Sequence, residues 1–183
     1  DPDPTEPTNP TNPTEPTDPT KPTEPTTNPD PVVPTGDNLL TGGSWAVGQY
    51  GYSDGAVDTT GTYGLKRAYY TKIIDVEPGE TYTFVLDTHQ KYRYKLIVRA
   101  FDASGKFLGN LAGAHSSIGY ADDLSPKYIP SKDVEIPENV AKIGISVHYV
   151  FDGSEGYNGG TIVNQIDNGT IDVGIYKVGA EHI

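Results

Sequence analysis

Cysteine is absent from this chain of 183 residues. Neither a disulfide framework nor a thiolate metal site is therefore available to it. Export is still allowed, since bacterial exported proteins often lack cysteine. Long apolar runs are missing too. None approaches the roughly 20 residues that cross a bilayer as a helix. Bases are scarce: 13 Lys and Arg face 25 Asp and Glu, a formal net charge of −12. An acidic chain lacks the basic footprint expected of a partner for nucleic acid or anionic lipid. Neither a nucleic acid nor a membrane is expected as partner. A neutral polysaccharide carries no such demand. The opening residues have no signal-peptide character, Asp1 is not expected to be a natural start, and the chain reads as a piece of a longer one.

Catalytic signatures are equally thin. There is no Gly-x-Ser-x-Gly elbow, no HExxH and no phosphate loop. The histidines His89, His115, His148 and His182 share no ligand-like spacing, and surface positions are expected for them. Asp122-Asp123 is the most conspicuous acid pair. Glycosidase carboxylates work across a cleft at roughly 5–9 Å, whereas adjacent loop aspartates are usually just solvated. The expectation is a protein that is not an enzyme. A hard cation needs six to eight oxygens. Asp152-Gly153-Ser154-Glu155, or Asp167-Asn168 with Asp172, offers some of them, so a structural calcium is the one cofactor considered.

Proline is present but unevenly spread. Twelve of the 16 prolines precede Gly36. From Pro4 to Pro25 one recurs at every third position, each followed by threonine. That period is the turn of polyproline II. A segment with nothing apolar to bury forms no core. Residues 1–36 read as a semi-rigid acidic spacer with seven acids and one base. Residues 37–183, with 18 acids and 12 bases, are long enough for one domain with a real core.

Within that domain the organising stretch is 92–101, YRYKLIVRAF. Tyr92, Tyr94, Leu96, Val98 and Ala100 alternate with Arg93, Lys95, Ile97, Arg99 and Phe101. This predicts a strand with one apolar face and one mainly cationic, solvent-facing one. Asp102-Ala103-Ser104-Gly105 carries turn chemistry, and Lys106-Phe107-Leu108 restarts an apolar run, so a hairpin is expected. Val76-Glu77-Pro78-Gly79-Glu80 reads as a type II turn. Strands are expected over 69–76, 81–87, 133–136, 142–150 and 169–178. In 142–150, Ile143, Ile145, Val147 and Tyr149 face in, while Lys142, Gly144, Ser146 and His148 face out. No window holds a helical period. The predicted fold class is all-β, a β-sandwich of jelly-roll type behind the spacer.

Aromatic residues are abundant, with 13 tyrosines and one tryptophan. Tyr82, Tyr94 and Tyr149 fall on inward faces and are expected in the core. Trp45, Tyr50, Tyr52 and Tyr63 lie in glycine-rich backbone between Gly42 and Gly64, where a ring is easily brought to the surface. A sugar ring stacks its C–H face on an aromatic plane while its hydroxyls seek polar partners. Gln49, Asp54, Asp58 and Arg67 are placed to supply these. The candidate binding residues are thus Trp45, Tyr50, Tyr52, Tyr63, Gln49, Asp54 and Arg67. Tyr120, Tyr128 and Tyr157 form a second set.

Two resemblances accompany these residues. The Pro-Thr-acidic repeat resembles the linkers of multidomain surface enzymes and scaffolds of Gram-positive gut and rumen bacteria. The segments NLLTGGSW, YYTKIIDVEPGETYTF and YRYKLIVRAFDASGKFLG are similar to carbohydrate-binding β-sandwich modules of bacterial surface proteins. They are equally similar to host-adhesion domains of phage tail and cell-wall-targeting proteins. These resemblances imply a secreted or cell-surface, Gram-positive setting and flanking modules in the same polypeptide. They also imply a monomeric domain that tethers its neighbours to a polysaccharide, with α-glucan (starch) expected first. The alternatives are a cell-wall or phage host-adhesion domain and a structural or protein-interaction module.

Overall fold

A computed structural model describes residues 36–89, 92–115, 118–119, 128–149 and 158–179. The spacer up to residue 35, Tyr120, Asp122-Asp123, Asp152 to Glu155, Tyr157 and His182 lie outside the described residues.

The described chain is mostly β. Two antiparallel sheets share one core. The larger sheet is ordered β1 (Trp45–Val47), β4 (Arg67–Tyr70), β10 (Lys142–Tyr149), β7 (Tyr94–Phe101) and β8 (Phe107–Asn110), and the short β5 (Ile74–Asp75) also pairs with β10. The smaller sheet runs β11 (Asp172–Lys177), β6 (Thr81–Asp87), β9 (Ser131–Glu135). A two-residue ladder joins β2 (Gln49–Tyr50) to β3 (Val57–Asp58). The sheets meet through Ala68, Leu96, Val98, Ala100, Ile143, Ile145 and Val147 on one side and Tyr82, Phe84, Leu86, Val134 and Ile175 on the other, all buried. Period-two alternation dictates which residues these are.

Local chemistry matches the expected turns. Gly79 has φ 78°, the left-handed value that the third residue of a type II turn requires. At the β7–β8 hairpin Asp102 Oδ1 accepts hydrogen bonds from the Ser104 and Lys106 amides, both at 2.9 Å. The Ser104 hydroxyl, donating to the same oxygen at 2.6 Å, and then these amides hold its carboxyl below the ordinary range.

Two expectations need correction. First, a helix does form: α1 (Gly159–Asp167). Asn158 caps it, its Oδ1 accepting from the Thr161 amide at 3.0 Å. Ile162, Val163 and Ile166 turn to the core, and Gly169 (φ 72°) ends it. The last strand consequently begins at Asp172, three residues later than expected. Second, the outward face of β7 and β10 is not solvated. Ile97, Arg99, Phe101, Ser146 and His148 are all buried. A segment of chain lies over them, and this covering builds the candidate site.

Candidate functional site

The cover begins with a change of partner. β1 pairs with β4 as far as Val47 opposite Ala68. Gly48 then donates its amide to the Arg67 carbonyl at 3.0 Å with φ 141°. A Cβ there would sit 2.8 Å from the Asp58 carbonyl oxygen and 3.0 Å from the Tyr69 ring. Only glycine lets the strand leave the sheet edge at this point and cross its outer face.

Tyr50 seats the crossing segment. Its amide donates to Ser146 Oγ at 3.2 Å and its hydroxyl to the Tyr70 carbonyl at 2.8 Å. Its ring lies edge-on to Tyr69 and Phe101, with centroids 5.6 and 6.4 Å away. The same ring lies 3.0 Å from where a side chain on Gly144 would begin. Burial, with Tyr69 adding to it, pushes the Tyr50 phenol up to about 12.

Beyond this anchor the segment presents rings outward. Tyr52 is 56 % and Tyr63 68 % exposed. Arg67 stands between them, its Cζ 5.4 Å from the Tyr52 centroid and 5.2 Å from that of Tyr63. Its Nη1 donates to the Tyr52 hydroxyl at 2.8 Å and also to Gln49 Oε1. Beneath Tyr52 lies Arg99, wholly buried, with Cζ 4.2 Å from the ring centroid. Arg99 Nε donates to the Tyr50 carbonyl at 3.2 Å and Nη1 to Asn110 Oδ1, while Nη2 has no partner. Cation–π contacts of this kind hold both rings in place.

Next to Arg67 the sheet register completes a cationic row. His148 on β10 is directly opposite Arg67 on β4 and Lys95 on β7. Residues opposite one another on antiparallel strands are about 5 Å apart at Cβ. Arg67 and Lys95 are half-buried. His148 is 2 % exposed and its Nε2 has no partner. Burial first, then the fields of Arg67, Lys95, Arg99 and His115, holds its imidazole well below the ordinary range, so it is neutral at pH 7. Burial likewise lowers Arg99, with Tyr52 opposing and Arg67 reinforcing. No carboxylate stands within ion-pair distance of Arg67, Lys95, Arg99 or His148 among the described residues.

The seven expected site residues thus separate. Tyr52, Tyr63 and Arg67 come together at the surface. Gln49 is buried and orients Arg67. Tyr50, expected at the surface, is 3 % exposed and serves as the seat. Trp45 packs on the core rim with its ring 5.7 Å from Tyr70, so it too is a packing residue. Asp54 is used within its own turn, its Oδ1 accepting from the Ala56 amide at 3.0 Å. Asp58 does the same for Thr60 and Gly61, at 2.9 and 2.8 Å. Tyr128 joins neither ring: its hydroxyl donates to Asp87 and accepts from the Thr88 amide.

Arg99, Lys95 and His148 were not expected in the site. Their shared parity on two alternating strands was visible in sequence. The register that brings them beside Arg67 was not.

No three His, Asp or Glu gather to hold a metal among the described residues. Asn168, one of the expected calcium ligands, accepts from the Thr170 amide at 2.9 Å. Compared with known proteins, the chain matches no family model, no curated protein and no solved structure.

Proposed function

We propose that residues 37–183 form a non-catalytic glycan-binding module, a jelly-roll-type sandwich. Carried on the Pro-Thr spacer, it tethers a larger extracellular protein to a polysaccharide. The single observation behind this reading is the exposed ring pair. Most of the domain's tyrosines are buried or half-buried, yet Tyr52 and Tyr63 stand out of the surface with a guanidinium between them. Rings held rigidly by cation–π contacts and a hydrogen bond lose little further freedom on binding. Arg67 adds donors for rim hydroxyls beside the stacking faces. A semi-rigid spacer would raise the local concentration of a neighbouring module at the glycan.

The test is electrophoresis of the chain through gels containing single polysaccharides. Retardation by at least one glycan is expected, with affinity falling about tenfold in Tyr52→Ala and in Tyr63→Ala, as for a binding hot spot of about 1.4 kcal/mol. Trp45→Ala should weaken folding more than binding. Free migration through a broad panel, α-glucan included, would remove the reading and leave a structural module in its place.

A further inference from the structure

The ring pair accounts for Tyr52, Tyr63 and Arg67. It leaves Lys95 and His148 without a purpose, and the charge of Arg99, which supports Tyr52, without a carboxylate partner among the described residues. We propose that the polysaccharide is acidic, and that one of its anionic groups (carboxylate, sulfate or phosphate) is received between Arg67 and Lys95, over His148 and beside Tyr52. This rests on the glycan-binding reading and deepens it.

Three observations converge. Arg67, His148 and Lys95 form one transverse row across three adjacent strands, with the buried imidazole in the middle and a long cationic side chain on each flank. Two of the buried nitrogens in this cluster, Arg99 Nη2 and His148 Nε2, lack a hydrogen-bond partner, although both residues are almost wholly removed from solvent. Such groups are rare in folded proteins and ask for an explanation. Finally, the domain carries 18 acids, yet among the described residues none stands within ion-pair distance of these cations. Like charges crowded together in a low-dielectric setting repel, and an anion from outside offsets that repulsion.

A neutral glucan gains nothing from this surplus. A carboxylate or sulfate does: it accepts charge-assisted hydrogen bonds from Arg67 and Lys95, the stronger class of such bonds. Arg99 acts from below as a fixed positive charge under Tyr52. A nucleic acid is disfavoured. The surrounding domain is acidic, with 18 acids against 12 bases, where a phosphate backbone asks for a basic face.

The experiment uses the full chain in gels containing polygalacturonate, dextran sulfate, a poly(glycerol phosphate), amylose, or single-stranded DNA. At least one of the three acidic polymers is expected to retard the chain more than amylose or DNA does, with retardation falling as salt rises. Comparison among the three distinguishes carboxylate, sulfate and phosphate. Lys95→Gln should lower the ratio of acidic to neutral binding about tenfold. Tyr63→Ala should weaken every glycan that binds. Independently of any variant, adding monomeric galacturonate should move the His148 ring signals in NMR spectra, and glucose should not. Retardation by amylose equal to or above that of every acidic polymer would overturn this inference and leave the glycan-binding reading standing. So would DNA binding as strong as the best acidic glycan. Failure of every polymer to bind would overturn both.

Discussion

Both faces of the large sheet bury its central residues, by different means, and the outer face leaves Arg67 and Lys95 half-buried at its flanks. The inner face closes with apolar side chains from both sheets: Leu96, Val98, Ile143, Ile145 and Val147 against Phe84, Leu86 and Ile175. The outer face closes beneath a crossing segment around one tyrosine, one buried arginine and a histidine, with Ile97 and Phe101 beside them. The inner face contributes stability through apolar area removed from water. The outer face buries charge and leaves donors unsatisfied, which costs stability. A surface maintained at such a cost is where a functional site is best sought.

That difference can be broken most heavily from the inside. Phe84 has no exposed surface, and its ring sits where the sheets meet. Phe84→Ala should cost about 3–5 kcal/mol in chemical unfolding. A loss below 1 kcal/mol would mean that the two sheets do not depend on one another.

Breaking the outer face should cost less stability and more function. Gly144 lies under the Tyr50 ring, and a Cβ there would come within 3.0–3.1 Å of three ring carbons. Gly144→Val adds further methyls. Overpacking of this kind costs about 1–3 kcal/mol. Tyr52 follows Tyr50 by two residues, so displacing the seat removes Tyr52 from Arg99. Glycan binding should fall further than it does in Tyr63→Ala, which takes one ring and leaves the fold unchanged. Equal binding losses in the two variants would show that the seat does not position the rings.

The same contrast explains what was legible in the chain. β6, β7 and β10 are read directly from alternation, because their inner residues are apolar, aliphatic or aromatic, and their period is two. The turn at Gly79 and the hairpin at Asp102 announce themselves by residue type. Helix α1 was hidden. It is nine residues long, opens on Gly159-Gly160 and carries only Ile162, Val163 and Ile166 as its apolar stripe. The cap Asn158 and the stop Gly169 were the available signals. Gly159 is dictated by contact rather than propensity, since a Cβ there would fall 2.3 Å from the Arg67 carbonyl oxygen. The outer face was hidden for a different reason. Arg99 and His148 look solvated by residue type, and only the path of Tyr50 across them says otherwise. Within the glycine-rich entry segment, composition marked a surface patch. It did not separate Tyr52 and Tyr63, which stand out, from Tyr50 and Trp45, which pack.

The smallest perturbation is a proton, and it should act on the outer face alone. Burial first, then Arg67, Lys95, Arg99 and His115 around it, keep the folded imidazole of His148 well below its ordinary value near 6.5. His115, also lowered by burial and by Arg99 and Lys95, acts in the same direction. Between the folded and unfolded values the unfolded chain binds more protons than the native one. Stability contributed by the neutral imidazoles is therefore complete above about pH 6.5 and falls as acid is added below it. Asp58 and Asp102 titrate below the ordinary carboxylate value, since the Gly61 and Thr60 amides hold the first ionised and the Ser104 hydroxyl, then the Lys106 amide, the second. Their contribution is lost in a separate window, under about pH 4. Unfolding midpoints should thus decline between pH 7 and pH 5 before any carboxylate takes part, and His148→Gln should flatten that decline. An unchanged slope in His148→Gln would mean that the imidazole is not held neutral by its surroundings. If an anion then restored the midpoint at pH 5.5 in the native chain but not in Lys95→Gln, the proton and the ligand would be reading the same cluster of charges.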